Sequence, residues 1–170
     1  MKKLLLAVII AVTTLACGSA LAGAASTGLS VTASVTANCT ISTTALTFGA
    51  YDPLSGSALN GTGTVIVACT KGATGLTIGM DNGSNFGTKR QMASGAERLP
   101  YDLFQPPSNT PLAACTFAGT AWTNTGAGLL TLVDAPSKAA RTYNVCGTIP
   151  AGQDVAAGAY ADTVSATINF

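Results

Sequence analysis

Alternation of apolar and polar side chains is the dominant pattern of this chain. It is clearest toward the carboxyl terminus, where four apolar positions alternate with Thr, Ser and Asn: Val164, Ala166, Ile168 and Phe170. A period of two, rich in β-branched and aromatic residues, predicts a half-buried strand. Because termini normally fray unless something anchors them, the apolar Phe170 predicts that this strand lies inside a sheet.

The segment 27–38 shows the same alternation near the amino terminus. It contains no proline and no charged residue, and its apolar positions are Leu29, Val31, Ala33 and Val35. The pattern predicts a strand with an edge of the kind that proteins usually protect from pairing with other chains. A first strand paired within its own domain is the ordinary alternative.

Short apolar runs separated by turn residues fill the rest of the chain. The turns include Asn60-Gly61 and the segments 51–56, 81–85, 106–111, 134–138 and 150–153, and 94–98 is expected to be a loop. No stretch of helical length carries apolar residues at helical spacing, so the chain is predicted to be one all-β sandwich domain with Trp122 in its core. The predicted strands are 39–48, 63–70, 76–80, 86–92, 99–105, 129–133 and 141–149.

Residues 1–22 have the features of a secretory signal peptide. Lys2 and Lys3 precede the apolar run 4–16, and Ala20-Leu21-Ala22 offers a small-x-small cleavage site, with Ala24 as a second candidate. Lipidation at Cys17 is the alternative, but Thr14 stands where a lipobox prefers Leu. We expect an exported protein.

Composition narrows the range of functions. Without Lys2 and Lys3, six basic residues face seven acidic ones, a net charge of −1 that predicts no nucleic-acid partner. Histidine is absent, which removes the commonest general base and metal ligand. The acidic residues mostly adjoin Gly, Pro or Asn, where turn hydrogen bonding explains them. We therefore expect no enzyme activity, cofactor, metal site or small-molecule substrate.

Four cysteines remain after residue 22, and in an exported protein an even number predicts two disulfides. Three connectivities are possible. We favour Cys39–Cys69 and Cys115–Cys146, each of which closes a loop of about thirty residues and stabilises the chain by about 3–4 kcal/mol in the chain-entropy model. A zinc site is disfavoured because no Cys-x-x-Cys spacing occurs.

Several segments together resemble the spore coat U (SCPU) domain family, which includes subunits of Csu-type archaic chaperone–usher pili. They are NCTISTTALTFGAYDP from Asn38, VACTKG, LTIGMDNGSN, and RTYNVCGTIPAGQDVAAGAYADTVSATINF from Arg141. The resemblance covers 37–170, and its GxIPAGQ…GxYxDTVxxxIxF ending is specific. Cys39–Cys69 matches the usual disulfide of such domains, whereas Cys115 and Cys146 depart from the pattern.

The resemblance implies an incomplete immunoglobulin-like antiparallel β-sandwich that lacks its last strand and is completed by a donor strand. Segment 23–36 would be that donor, inserting Leu29, Val31, Ala33 and Val35 into a neighbouring subunit. Val164, Ala166, Ile168 and Phe170 would form one wall of the acceptor groove. The implied partners are other pilus subunits, a periplasmic chaperone and an outer-membrane usher.

The function implied is a structural subunit of an extracellular pilus that serves adhesion and biofilm formation at the cell surface. The alternative is a secreted coat or matrix protein whose own amino-terminal strand completes the sandwich. The two differ in one expectation: a self-completed sandwich stays monomeric, whereas an incomplete one polymerises.

Overall fold

The structure, a computed structural model, describes residues 22–170. The predicted signal peptide therefore lies outside the described residues, except for Ala22. The chain divides into two units, Met1–Ser34 and Val35–Phe170. Within 22–170 the structure contains no α-helix, only a 3₁₀ turn at Gly126–Gly128. No helix in that range is long and apolar enough to cross a bilayer.

Nine strands form the second unit. They are β1 Cys39–Thr47, β2 Leu59–Cys69, β3 Thr77–Met80, β4 Gln91–Ser94, β5 Glu97–Pro100, β6 Asp102–Phe104, β7 Leu130–Thr131, β8 Arg141–Ile149 and β9 Ala166–Asn169. One sheet has the order β1-β2-β8-β6, a second has β7-β3-β9, and β4 and β5 form a hairpin. Every strand pair is antiparallel. The predicted all-β antiparallel class is confirmed.

The core lies between the inner faces of the two sheets. Val65 and Tyr143 face inward from the first sheet and Ile78 from the second, and all three are fully buried. Trp122, also fully buried, donates from Nε1 to the Ile78 carbonyl at 2.9 Å. Because a buried indole N–H needs an acceptor, this bond fixes Trp122 as a core residue, as predicted.

The hydrophobic pattern located most strands, and β8 has the predicted bounds. Two turn assignments were wrong. Asn60-Gly61 lies inside β2, where Gly61 pairs with Gly147 of β8. Residues 94–98 are not a loop, because β4 and β5 meet there in a tight hairpin that pairs Ser94 with Glu97. In both places tertiary pairing overrides the local turn preference.

The segment 27–38 contains no strand, contrary to the sequence-based prediction. Leu29, Val31 and Val35 are 86%, 84% and 85% exposed. All three sheets are built from residues 39–169. A strand exists only where its backbone groups have a ladder partner, so alternation alone does not produce one.

Both favoured disulfides are present. Cys39–Cys69 joins the start of β1 to the end of β2, where the two residues are paired across the ladder. Cys115–Cys146 ties the segment between β6 and β7 to the fully buried Cys146 of β8. Asn144 reinforces this attachment, because its side-chain amide donates to the Ala113 carbonyl at 2.8 Å.

Candidate functional site

An open groove runs between β1 and the carboxyl-terminal segment 155–164. It consists of two adjoining cavities of about 380 and 630 Å³. Four side chains line both cavities: Leu46, Phe48, Met92 and Tyr160. The lining is largely aliphatic and aromatic, and Asp162 is the one acidic or basic residue among the lining side chains.

The two sides of the groove run in opposite directions. Residues 43–46 of β1 line the first cavity together with 160–164, whereas 46–51 line the second together with 155–160. Advancing along β1 therefore means moving backward along the carboxyl-terminal segment. A strand placed between them must be parallel to one and antiparallel to the other.

The floor of the groove rests on glycines of the first sheet. A bulge between Thr44 and Thr47 turns Leu46 inward, and Phe48 follows on the same face. A Cβ atom on Gly147 would lie 2.8 Å from both the Leu46 Cδ1 and the Phe48 Cζ atoms. Gly61 and Gly63 are similarly crowded by Phe48 and Leu46. The three glycines thus make room for the two side chains to lie flat.

The carboxyl-terminal wall offers unpaired backbone groups to the groove. Ala161 exchanges two hydrogen bonds with Ala93, the Thr163 carbonyl accepts from Ser84, and Ser165 pairs with Asp81. Backbone N–H and C=O groups alternate in direction along a strand. The backbone groups of the intervening residues therefore point toward the groove, away from Ala93, Ser84 and Asp81; these residues are Asp162, Val164, Ala166 and Ile168. Among residues 35–170, none pairs with that side, and β1 pairs only with β2. Two free strand edges therefore border one apolar groove.

Asp162 holds the wall in place through contacts distant in sequence. Its Oδ1 accepts from the backbone N–H groups of Ser84 and Asn85 at 3.0 and 3.1 Å, and from the Asn85 side chain at 3.0 Å. Its Oδ2 accepts from the Tyr101 hydroxyl at 2.7 Å. Burial, and then this hydrogen bond, raise the pKa of Tyr101 well above its usual range. The phenol therefore stays a neutral donor.

A buried arginine supports the same region from behind. Arg90 donates to the carbonyls of Met80, Asp81 and Trp122 at 2.5–3.0 Å. Burial lowers the pKa of its guanidinium. Burial acts to raise the pKa of Asp81, but hydrogen bonds from Gly83 and Ser165 outweigh it and lower the pKa overall. These contacts fix the turn that follows β3, against which the wall packs.

The predicted wall residues occupy different positions. Val164 lines the groove, and Ala166 and Ile168 are half-buried against the core. Phe170 is 57% exposed. The predicted donor residues Leu29, Val31, Ala33 and Val35 are all exposed.

Sequence reasoning missed the opposite side of the groove. Leu46, Phe48, Met92 and Tyr101 come from segments that no local pattern connects, and Phe48 and Tyr101 meet edge to face at 6.0 Å. The available signal was glycine inside predicted strands, at Gly63 and Gly147, since such glycines mark close approach by another group. The role of Asp162 was not predicted because its side chain accepts hydrogen bonds from residues distant in sequence and none from its own turn.

Among residues 22–170, no three His, Cys, Asp or Glu side chains cluster as they would to hold a metal ion. Asp52 and Asp81 accept from the backbone N–H two residues ahead, at 2.9 Å in each case, as turn aspartates do. What the groove presents is apolar surface and free strand edges.

An antiparallel β-sandwich with an open apolar groove is the class of protein that the fold and the site define. The Spore Coat Protein U domain matches residues 25–167, and the chain belongs to that family. A curated relative, Protein U of Myxococcus xanthus, is 33% identical over 186 residues, covering 99% of this chain and 98% of that protein.

A crystal structure is also similar to this chain. It is the CsuC–CsuE chaperone–tip adhesion subunit pre-assembly complex from archaic chaperone-usher Csu pili of Acinetobacter baumannii. The identity is 22% and the TM-score 0.48, and the match covers 80% of this chain. This chain spans 40% of the matched chain's length.

Proposed function

We propose that this protein is a structural subunit of an extracellular pilus, assembled by donor-strand exchange with the help of a periplasmic chaperone and an outer-membrane usher, and serving adhesion and biofilm formation. The observation that carries the proposal is the groove bordered by the free edges of β1 and of the carboxyl-terminal segment. A strand inserted there would pair with both edges and cover the apolar floor, which is β-augmentation.

The segment 23–36 has the chemistry of such an insert. It contains no charged residue, and its alternate side chains Leu29, Val31, Ala33 and Val35 are apolar and exposed. Burial of three or four such side chains contributes about 1.5–3 kcal/mol each, and the backbone ladder adds to that. Because the donor segment and the groove are different parts of the chain, head-to-tail contacts that do not close into a ring generate a fibre.

Polymer size tests this proposal. Secreted with chaperone and usher, the protein should run on nonreducing, unboiled denaturing gels as a ladder that collapses to monomer on heating. Val31→Asp should abolish the ladder because it would place a charge in the apolar groove. The matched control is Ser30→Asp, which adds the same charge on the opposite face and should preserve the ladder.

A secreted coat or matrix protein is the second candidate, favoured by the match of residues 25–167 to the Spore Coat Protein U domain. In that case the protein stays a monomer whose size does not change on heating, and neither substitution at positions 30 and 31 alters it. A monomer with those properties would overturn the pilus proposal.

A further inference from the structure

We infer that Arg141 and Tyr143 together bind one small monovalent anion, a halide such as chloride, inside the sandwich. Both residues lie at the start of β8, and neither lines the groove. The anion site is therefore separate from the groove, and its existence does not depend on the proposed function.

The fold places a cation and a phenol side by side in the core. Arg141 and Tyr143 are two positions apart on β8, so their side chains leave the strand on the same face. Across the ladder they pair with Val67 and Val65 of β2, both of which are fully buried. Tyr143 is also fully buried, and Arg141 is only 9% exposed. A permanent positive charge is thus held among apolar side chains.

Both side chains carry a donor that the chain itself leaves without an acceptor. The Nη1 atom of Arg141 donates to the Val133 carbonyl at 2.7 Å. The Nη2 atom and the Tyr143 hydroxyl are buried, and neither has a hydrogen-bond partner among residues 22–170, so they do not bond to each other. A buried donor without an acceptor is costly, and more so when it is charged. We therefore expect the two donors to share an acceptor from solution.

The buried charge requires an anion as well as an acceptor. Within the described residues the ion pair is Lys89–Asp102, and no carboxylate oxygen lies within 4.0 Å of the Arg141 nitrogens. Burial raises the pKa of Tyr143, and the neighbouring Arg141 charge acts in the opposite direction, so the phenol stays a neutral donor near the cation. Because a buried cation without a counterion is strongly disfavoured, the shared acceptor should carry a negative charge.

The surroundings favour a halide over a water molecule. A water could accept both bonds, but it would leave the charge uncompensated and bring two O–H donors of its own into an apolar core. A halide accepts several hydrogen bonds, has no donor and neutralises the guanidinium. A larger oxyanion such as sulfate would need further donors, and the other buried polar side chains, Arg90 and Thr148, already have partners.

Exchange of anions at constant ionic strength tests the inference. Thermal unfolding of the full oxidised chain is followed while sodium gluconate is replaced by sodium chloride or sodium bromide. Gluconate is too large to fit between two buried donors. Because a ligand that binds only the folded state stabilises that state by mass action, we expect the melting temperature to rise by about 3 °C or more in either halide.

Three variants assign the effect to the two side chains. Tyr143→Phe removes one donor but keeps the ring, so the affinity for halide should fall about fivefold or more. Arg141→Met removes the charge and should abolish the response to halide. The matched control is Arg98→Met, which removes an exposed guanidinium that bonds to the Gly95 and Glu97 carbonyls. This control should keep the full response.

Crystals of the wild-type protein grown in sodium bromide give a measurement that does not depend on the folding of any variant. We expect an anomalous-scattering peak between the Arg141 guanidinium and the Tyr143 hydroxyl, and the lack of a peak there overturns the inference. Equal melting temperatures in gluconate and in halide also overturn it, because water then serves the two donors. So does a full halide response in Tyr143→Phe and Arg141→Met, which would place the bound anion elsewhere.

Discussion

Substitution of Gly147 by alanine should damage the groove from beneath. A Cβ atom there would lie 2.8 Å from the Leu46 Cδ1 and the Phe48 Cζ atoms. Carbon atoms pack best at about 3.5–4.0 Å, so both side chains must move by about 1 Å. The space open to them is the groove, and we therefore expect its floor to rise.

Two opposing effects set the size of the stability change. Overpacking of a filled site costs about 1–3 kcal/mol. Replacing glycine restricts the unfolded chain and returns about 0.4–1 kcal/mol. Overpacking should win, leaving a net loss of about 1–2 kcal/mol and a melting temperature lower by about 2–8 °C.

Calorimetry and peptide titration would check both consequences of Gly147→Ala. The affinity of the protein for a synthetic peptide of residues 23–36 should fall about tenfold, which corresponds to about 1.4 kcal/mol. Gly56→Ala is the matched control, because nothing lies within 4 Å of its Cβ position, and it should stay within about 0.5 kcal/mol of wild type. If Gly147→Ala bound the peptide as tightly as wild type, the assignment of Leu46 and Phe48 to the floor would be refuted.

Two further predictions concern the groove wall and the second disulfide. Because the pKa of Tyr101 is raised in the folded state, its contribution to stability is complete below about pH 10 and declines as the pH rises above that value. In unfolding titrations between pH 8 and pH 11, the stability difference between wild type and Tyr101→Phe should therefore stay constant up to about pH 10 and then narrow by about 1.4 kcal/mol per pH unit, and a difference that stays constant to pH 11 would contradict the assignment. Replacing Cys115 and Cys146 together by alanine removes a bridge between residues 31 apart. Denaturant unfolding should then show a free energy of unfolding lower by about 3–4 kcal/mol. A decrease below about 1 kcal/mol would mean that the bridge does not stabilise the fold.

The sequence determines the sandwich more directly than the groove. The alternation of apolar and polar residues predicted β8, because a strand on one side of a core has a local period of two. The spacing of the cysteines and the order of the strands favoured the two disulfides, which are expected in an exported chain. The tight hairpin between β4 and β5 was not predicted, because it has few apolar positions, Met92 and Leu99, and its strands have only four residues each. The dipeptide Asn60-Gly61 was wrongly predicted to be a turn because this pair of residues has a local preference for turns. In the structure Gly61 lies in β2, where the absence of a side chain lets Phe48 pack against the strand.

The groove could be predicted only on one side. The alternating wall at Val164, Ala166 and Ile168 is visible in the chain, but its fixation by Asp162 depends on Ser84, Asn85 and Tyr101, which are 61 to 78 positions away. Contacts of that separation are set by topology, and no periodicity reveals them. For the same reason the floor could not be assembled before the sheets were known.

An open groove has a thermodynamic consequence for the single chain. Its apolar floor and two free strand edges are features that favour association with another strand. The two disulfides restrain the unfolded chain by about 3–4 kcal/mol each without occupying the groove. We therefore expect the oxidised monomer to be folded but incomplete, and to gain further stability only when a strand enters. That gain is the free energy that would hold a proposed fibre together.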